Sequence, residues 1–156
     1  MAGNIVIRSI GENEREAWNP LWAGYLAFYK TALARDLSDL TWTRFHDPDE
    51  PVFALGGYVD GELAGFAHYL FHRSTWAPHR YCYLEDLFVD PARRQMGVGR
   101  ALIEAVYAEA DARQCARVYF DANGRKLGQL GQAPDNLLFN RAKFFREGKF
   151  RWTWSP

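Results

Sequence analysis

Residues 83–106, YLEDLFVDPARRQMGVGRALIEAV, decide the reading of this chain. The stretch begins as an apolar strand that carries two adjacent carboxylates, Glu85 and Asp86. Asp90-Pro91 marks a turn. The segment Arg94-Gln95-Met96-Gly97-Val98-Gly99-Arg100-Ala101 then opens directly into the helical run that starts at Leu102. A helix start leaves backbone N–H groups without intrahelical partners and attracts anions, phosphates above all. Glycines let that backbone approach a ligand with no Cβ in the way. The strand therefore presents acids, and the helix beside it offers a cradle for a pyrophosphate.

Two common phosphate motifs do not fit. No Gly-Lys-Ser/Thr follows the glycines, so this is not a P-loop. A dinucleotide fingerprint needs a third glycine where Leu102 stands. The spacing from Arg94 to Gly99 is R-x-x-G-x-G. It resembles the acyl-CoA pyrophosphate loop of the GCN5-related N-acetyltransferases, which carry Q/R-x-x-G-x-G/A. The likeness is close from Tyr81 to about Arg113 and extends in element order from Ile5 to Phe120. The wording YLEDLFVDP looks most like the diamine (spermidine/spermine-type) branch, where a Glu-Asp pair sits at this place. The resemblance implies a single α/β domain over residues 1–156, with a mixed central sheet flanked by helices. It also implies acetyl-CoA as cosubstrate, direct attack by an amine in a ternary complex, and no metal.

Composition agrees with one globular domain. A chain of 156 residues with 48% apolar and 24% charged content can bury a real core. Zero net charge gives no general attraction to nucleic acid or anionic membrane. No window approaches about 18 consecutive apolar residues, and MAGNIVIRSI lacks the sections of a signal peptide, so the protein reads as cytoplasmic. Cys82 and Cys115 have neither metal nor redox spacing and read as reduced core residues. Aromatic content of 16% is high, and the loop motif alone does not explain it.

Periodicity orders the rest of the chain. Residues 4–10 alternate as a first strand. Residues 14–34 read as a helix, with Trp18, Leu21, Trp22 and Tyr25 at helical spacing and Pro20 as a start or a split. A second short helix follows over 37–45, with Ser38 as its cap. Residues 52–59 and 62–70 flank Asp60-Gly61 as a β-hairpin. The acidic strand covers 80–89, a helix 98–113 and a last short strand 117–120. Residues 121–156 are atypical. A late helix over 136–146 and an aromatic strand over 150–154 are expected there, the strand being a candidate homodimer contact.

Acetyl transfer needs the pyrophosphate held, the thioester carbonyl polarised, the amine neutral, and the leaving thiolate protonated. Backbone N–H groups of Gln95, Met96, Gly97, Val98, Gly99, Arg100 and Ala101 are the expected pyrophosphate donors. Arg94 and Arg100 would add charge-assisted bonds, although either also reads as a solvated surface side chain. The resemblance assigns Leu87, Phe88 and Val89 to the pantetheine and the thioester, through backbone freed where the strand splays from its neighbour.

An alkylamine has a pKa of about 10, so some base must take a proton. Glu85 and Asp86 point to opposite faces of a regular strand, so at most one faces the cleft unless a bulge intervenes. The resemblance favours Glu85 as the base, directly or through water, and Asp86 as the anchor of the amine. Tyr25 and Trp76 are expected to line the acceptor pocket, with Trp22, Tyr29 and His79 as further candidates. Aromatics at helical spacing are more often core.

Relatives usually carry a late tyrosine that protonates the thiolate. That place falls on Phe145 here, and no tyrosine follows Tyr119. Tyr119, Tyr83, another tyrosine or solvent would have to serve. His46, His68, His72 and His79 make no metal spacing, and the His68/His72 pair lies in a strand-to-loop region rather than on a helix.

The expected activity is acetylation of a primary amine on a small polyamine-, thialysine- or amino-acid-like molecule. The rival readings are an acyl-CoA-binding protein without catalysis, an acetyltransferase of protein N-termini or lysines, and an α/β domain whose loop is merely structural.

Overall fold

A computed structural model describes residues 3–120 of the chain. Five strands form one sheet in the order β1-β2-β3-β4-β5. They are β1 (Ile5–Ser9), β2 (Val52–Val59), β3 (Glu62–His72), β4 (Tyr81–Val89) and β5 (Arg117–Tyr119). The first four pair antiparallel, while β5 lies parallel to β4. The parallel pair requires a crossover, and helix α3 (Val98–Ala112) supplies it. Helices α1 (Arg15–Phe28) and α2 (Arg35–His46) separate β1 from β2. The expectations for residues 121–156, including Phe145 and the 150–154 strand, lie outside the described residues. Among the described residues no helix is long and apolar enough to cross a membrane.

Each face of the sheet buries a different set of side chains. Leu55, Ala67, Tyr69, Phe71, Cys82 and Leu84 pack against Val98, Leu102, Val106 and Ala110 of α3. Ala54, Phe66 and Phe88 pack against Trp18, Leu21, Trp22, Tyr25 and Trp42 of α1 and α2. Trp18 stacks on Trp22, and Trp22 on Tyr25, at centroid distances of 5.3 Å. Much of the high aromatic content thus goes into the core between the first two helices and the sheet. Cys82 and Cys115 are free and buried, and burial pushes the Cys82 thiol up to about 12.

Three local expectations differ from the structure. α1 runs through Pro20 without starting or breaking there. The cost of about 3 kcal/mol for an interior proline is offset by burial of Trp18, Leu21, Trp22 and Tyr25. α1 also ends at Phe28 rather than near Ala34, because Lys30 takes a left-handed φ of 51° and Thr31 N–H bonds back to Leu26 C=O. Ser38 is not the cap of α2. It lies inside the helix, and its hydroxyl accepts the indole N–H of Trp22 at 3.0 Å, tying α2 to α1.

The entry into α1 is held by charge. Glu14 accepts two bonds of 2.8 Å from the Arg8 guanidinium, one of 2.7 Å from Gly11 N–H and one of 2.9 Å from the Tyr58 hydroxyl. The Arg8 bonds foremost hold its carboxyl at about 2, below the ordinary 4.5. This stabilisation is complete above pH 4.5 and is lost as pH falls towards 2. Glu14→Gln is expected to lower the urea midpoint at pH 7 and to flatten its acid limb. An acid limb unchanged in the variant would show that Glu14 does not carry it.

Candidate active site

The site is built on a bulge in β4. Along the β3–β4 ladder His68 pairs with Asp86, but Tyr69 pairs with Leu84, so Glu85 is the inserted residue. The insertion reverses which face each later residue takes. Cys82 and Leu84 face α3, whereas Asp86 and Phe88 turn to the α1 side. A regular strand lets at most one of Glu85 and Asp86 face the cleft unless a bulge intervenes, and here one does. Glu85 is exposed. The Asp86 side chain is only 13% exposed.

Asp86 is gripped from two sides. The Tyr25 hydroxyl of α1 donates to Oδ1. His68 Nδ1 lies 3.0 Å from Oδ2. On the far side of the imidazole, Trp18 Nε1–H points at His68 Nε2 at 3.1 Å. Burial, then the Asp86 carboxylate, push the Tyr25 phenol well above its ordinary value. Tyr29, whose ring lies 4.8 Å from that of Tyr25, is raised by the same two causes in the same order. Both tyrosines stay neutral at any working pH.

Beside the acids lies the loop. Gly97 is the N-cap of α3 with φ 91°, a left-handed conformation that favours glycine. The first intrahelical bond runs from Ala101 N–H to Gly97 C=O, so the amides of Gly97, Val98 and Gly99 precede the bonded turns. Among the described residues, a Cβ placed on Gly97 would meet nothing nearer than Ile5 Cδ1 at 3.9 Å. β5 pairs with β4 only at Tyr81, Cys82 and Tyr83 among the described residues, while β4 runs on to Val89. Leu87, Phe88 and Val89 therefore lie beyond the parallel ladder.

The remaining candidate residues fall as follows. The Phe88 ring is core, edge-on to Tyr25 at 6.3 Å and accommodated by Gly24, where a Cβ would come within 2.9 Å of it. Arg94 spends its Nε–H on the Val89 carbonyl at 3.2 Å and lies over the Phe88 ring, so it braces the end of β4. Arg100 is exposed and pairs with Glu104 one turn along α3. Trp22 is core. Trp76 is 91% exposed, and His79 is exposed in the same loop, so the structure does not bring either to the Tyr25–Asp86 pair. Gln95 has a left-handed φ of 63°, Met96 packs against the α3-side core, and Ala101 closes the first helical turn.

The tyrosines considered as thiolate acids sit at the other end of β4. Tyr83 stacks on Tyr119 at 5.0 Å. His72 Nδ1 donates to the Arg73 carbonyl, and its Nε2 is hydrogen-bonded with the Tyr119 hydroxyl, each at 2.7 Å. His68 and His72 thus have separate partners. His68 and Trp18, which join Asp86 in one hydrogen-bonded chain, are residues that sequence reasoning passed over as a metal candidate and a core aromatic. Their only sequence trace is a polar residue inside an apolar strand, FAHYL.

Comparison with known proteins bears on this geometry. The pattern of the acetyltransferase (GNAT) family matches residues 14–127. The chain is 38% identical over 118 residues to the D-amino-acid N-acetyltransferase HPA3 of Saccharomyces cerevisiae, covering 74% of this chain and 73% of that one. In fold it is similar to a ribosomal-protein-alanine N-acetyltransferase from Brucella melitensis biovar Abortus 2308, with TM-score 0.70, 20% identity, and 96% and 100% of the two chains covered. It is also similar to the aminoglycoside N-acetyltransferase AAC(6')-Iy in complex with CoA, with TM-score 0.71, 19% identity, and 100% and 97% covered.

Proposed function

The chain belongs to the acetyltransferase (GNAT) family, and from that premise we propose that it acetylates the primary amine of a small amino-acid-like or polyamine-like molecule. One observation carries the proposal: the β4 bulge sets an exposed carboxylate, Glu85, beside a half-enclosed one, Asp86, on the strand that leads into the glycine cradle. The relation to a D-amino-acid N-acetyltransferase supports an amino-acid-like acceptor. The diamine-like wording of β4 and its two carboxylates support a polyamine.

The residues present fit acetyl-CoA. The amides at the start of α3 precede the bonded turns, and among the described residues no atom lies closer than 3.9 Å to a Cβ placed on the left-handed Gly97. Acetyl-CoA supplies an acyl group activated as a thioester. In our reading the amides of Gly97, Val98 and Gly99 bind its pyrophosphate. Backbone groups of Leu87, Phe88 and Val89 hold the pantetheine, with a Phe88 or Val89 N–H polarising the carbonyl.

Asp86 accepts a bond from Tyr25 and faces His68 Nδ1, which fixes the direction of its carboxyl group and suits it to anchoring the amine rather than shuttling a proton. Tyr25 gives its O–H to Asp86, so the phenol oxygen keeps lone pairs for an incoming ammonium. Glu85, exposed at the bulge, takes the amine proton directly or through water and can return it to solvent. A thiolate whose conjugate acid titrates at about 8.5 needs no strong acid. Solvent serves, since the Tyr119 hydroxyl is engaged with His72 at the other end of β4.

The test is kcat/KM across spermidine, D- and L-amino acids, and peptides with free N-termini or lysines, read as thiol release. The expected result is at least tenfold preference for a free small amine over every peptide. Preference for a peptide would overturn the small-molecule reading. Saturable acetyl-CoA binding with no turnover of any amine would favour a coenzyme sensor.

A further inference from the structure

Among the described residues His68 is the one polar side chain that is fully buried, at 1% exposure. Its imidazole stacks on Phe66 at 4.2 Å with an interplanar angle of 11°. Phe45 lies at 4.5 Å, Trp22 at 5.4 Å and Trp18 at 5.9 Å. Aromatic rings thus enclose the imidazole on several sides. An aliphatic residue would fill this space without the cost of burying a polar group.

What the histidine adds is a directed hydrogen bond. The Trp18 indole nitrogen can only donate, so His68 Nε2 must accept. The ring proton then sits on Nδ1, where it faces Asp86 Oδ2. The chain Trp18–His68–Asp86–Tyr25 crosses from the α1 core, through β3, to the bulge of β4, with every donor pointing towards Asp86.

We propose that Trp18 and His68 are positioning residues of the acceptor site: Trp18 fixes the His68 tautomer, and His68 fixes the Asp86 carboxylate that orients Tyr25 towards the amine. The inference rests on reading Asp86 and Tyr25 as the amine anchor. Removal of the Nδ1–H donor takes away a bond that fixes Oδ2, on a side chain only 13% exposed. The carboxylate then turns to find another, and the Tyr25 hydroxyl follows it. Amine binding should suffer while the coenzyme loop, built on a different element, does not.

The first measurement is the tautomer of His68 in the wild-type protein, by two-bond ¹H–¹⁵N correlation NMR. A protonated Nδ1 and a bare Nε2 are expected, and a protonated Nε2 overturns the proposal without any variant. The second is kinetics with spermidine and D-alanine as amines. His68→Phe is expected to raise the amine KM at least tenfold with the acetyl-CoA KM within twofold of wild type.

His68→Asn, which can place an amide N–H near the Nδ1 position, should recover most of that loss. Trp18→Phe, the milder change, should show a mixture of His68 tautomers and an intermediate amine KM. Equal changes in both KM values, or no rescue by Asn, would mean a purely structural role and overturn the proposal. Asp86→Asn separates the two layers. If it raises the amine KM and His68→Phe does not, the relay fails. If it leaves the amine KM unchanged, the anchor reading itself fails and takes the relay with it.

Discussion

In a Gly97→Trp variant, acetyl-CoA affinity is expected to fall at least about 100-fold while the protein stays folded. Both halves of that expectation follow from one position. Gly97 caps α3 at φ 91°, so any other residue bears left-handed strain of about 1–2 kcal/mol. Among the described residues, the nearest atom that an added Cβ would meet is Ile5 Cδ1, at 3.9 Å. A tryptophan there need not push into the core. It covers the amides of Gly97, Val98 and Gly99 instead.

Losing two charge-assisted hydrogen bonds, at about 1.5–3 kcal/mol each, already exceeds 100-fold. Calorimetric titration of both proteins checks the loss, and far-UV circular dichroism checks the fold. Gly97→Ala, which adds the strain without the bulk, should fall between them. Undiminished binding in folded Gly97→Trp would show that the α3 start is not the coenzyme cradle.

Glu85→Gln is expected to lower kcat about 10²–10³-fold at pH 7, with acetyl-CoA affinity unchanged. Gln keeps the size and polarity of the side chain and removes the proton acceptor. An acceptor amine with a pKa of about 10 is almost wholly protonated at pH 7, so the chemical step needs that acceptor. The deficit should narrow as pH rises towards 10 and the free amine becomes populated. Asp86→Asn should behave differently, raising the amine KM more than it lowers kcat, if Asp86 anchors the amine as proposed. A Glu85→Gln enzyme within threefold of wild type across pH would remove Glu85 as the base.

How much of this could be read from residues alone depends on how local each feature is. The loop and α3 were legible because their signal lies in consecutive residues: Arg94, Gly97 and Gly99 at fixed spacing, then an apolar helical face. The hairpin was legible for the same reason, in Asp60-Gly61 between two apolar runs. The bulge was not, since it exists only in the pairing of β4 with β3, where Tyr69 meets Leu84 and His68 meets Asp86. That register also decides which acid is enclosed and brings His68 to Asp86 across 18 residues of chain.

Tertiary contacts likewise outweighed local preference at Ser38, whose hydroxyl went to Trp22 rather than to a helix start. Pro20 was overruled by the buried aromatics on either side of it. Trp76 was chosen for its residue type, and type alone cannot tell an exposed loop tip from a pocket wall.

Acetyl transfer itself is tested most directly by following the acetyl group. The wild-type protein is incubated with acetyl-CoA carrying an isotopically labelled acetyl and with the amine panel, and the products are resolved by mass spectrometry. The expected result is label on the nitrogen of a small amine, one free CoA thiol released per label transferred, and none of either without protein. Label that remains on CoA, or appears only as acetate whatever amine is present, would contradict it.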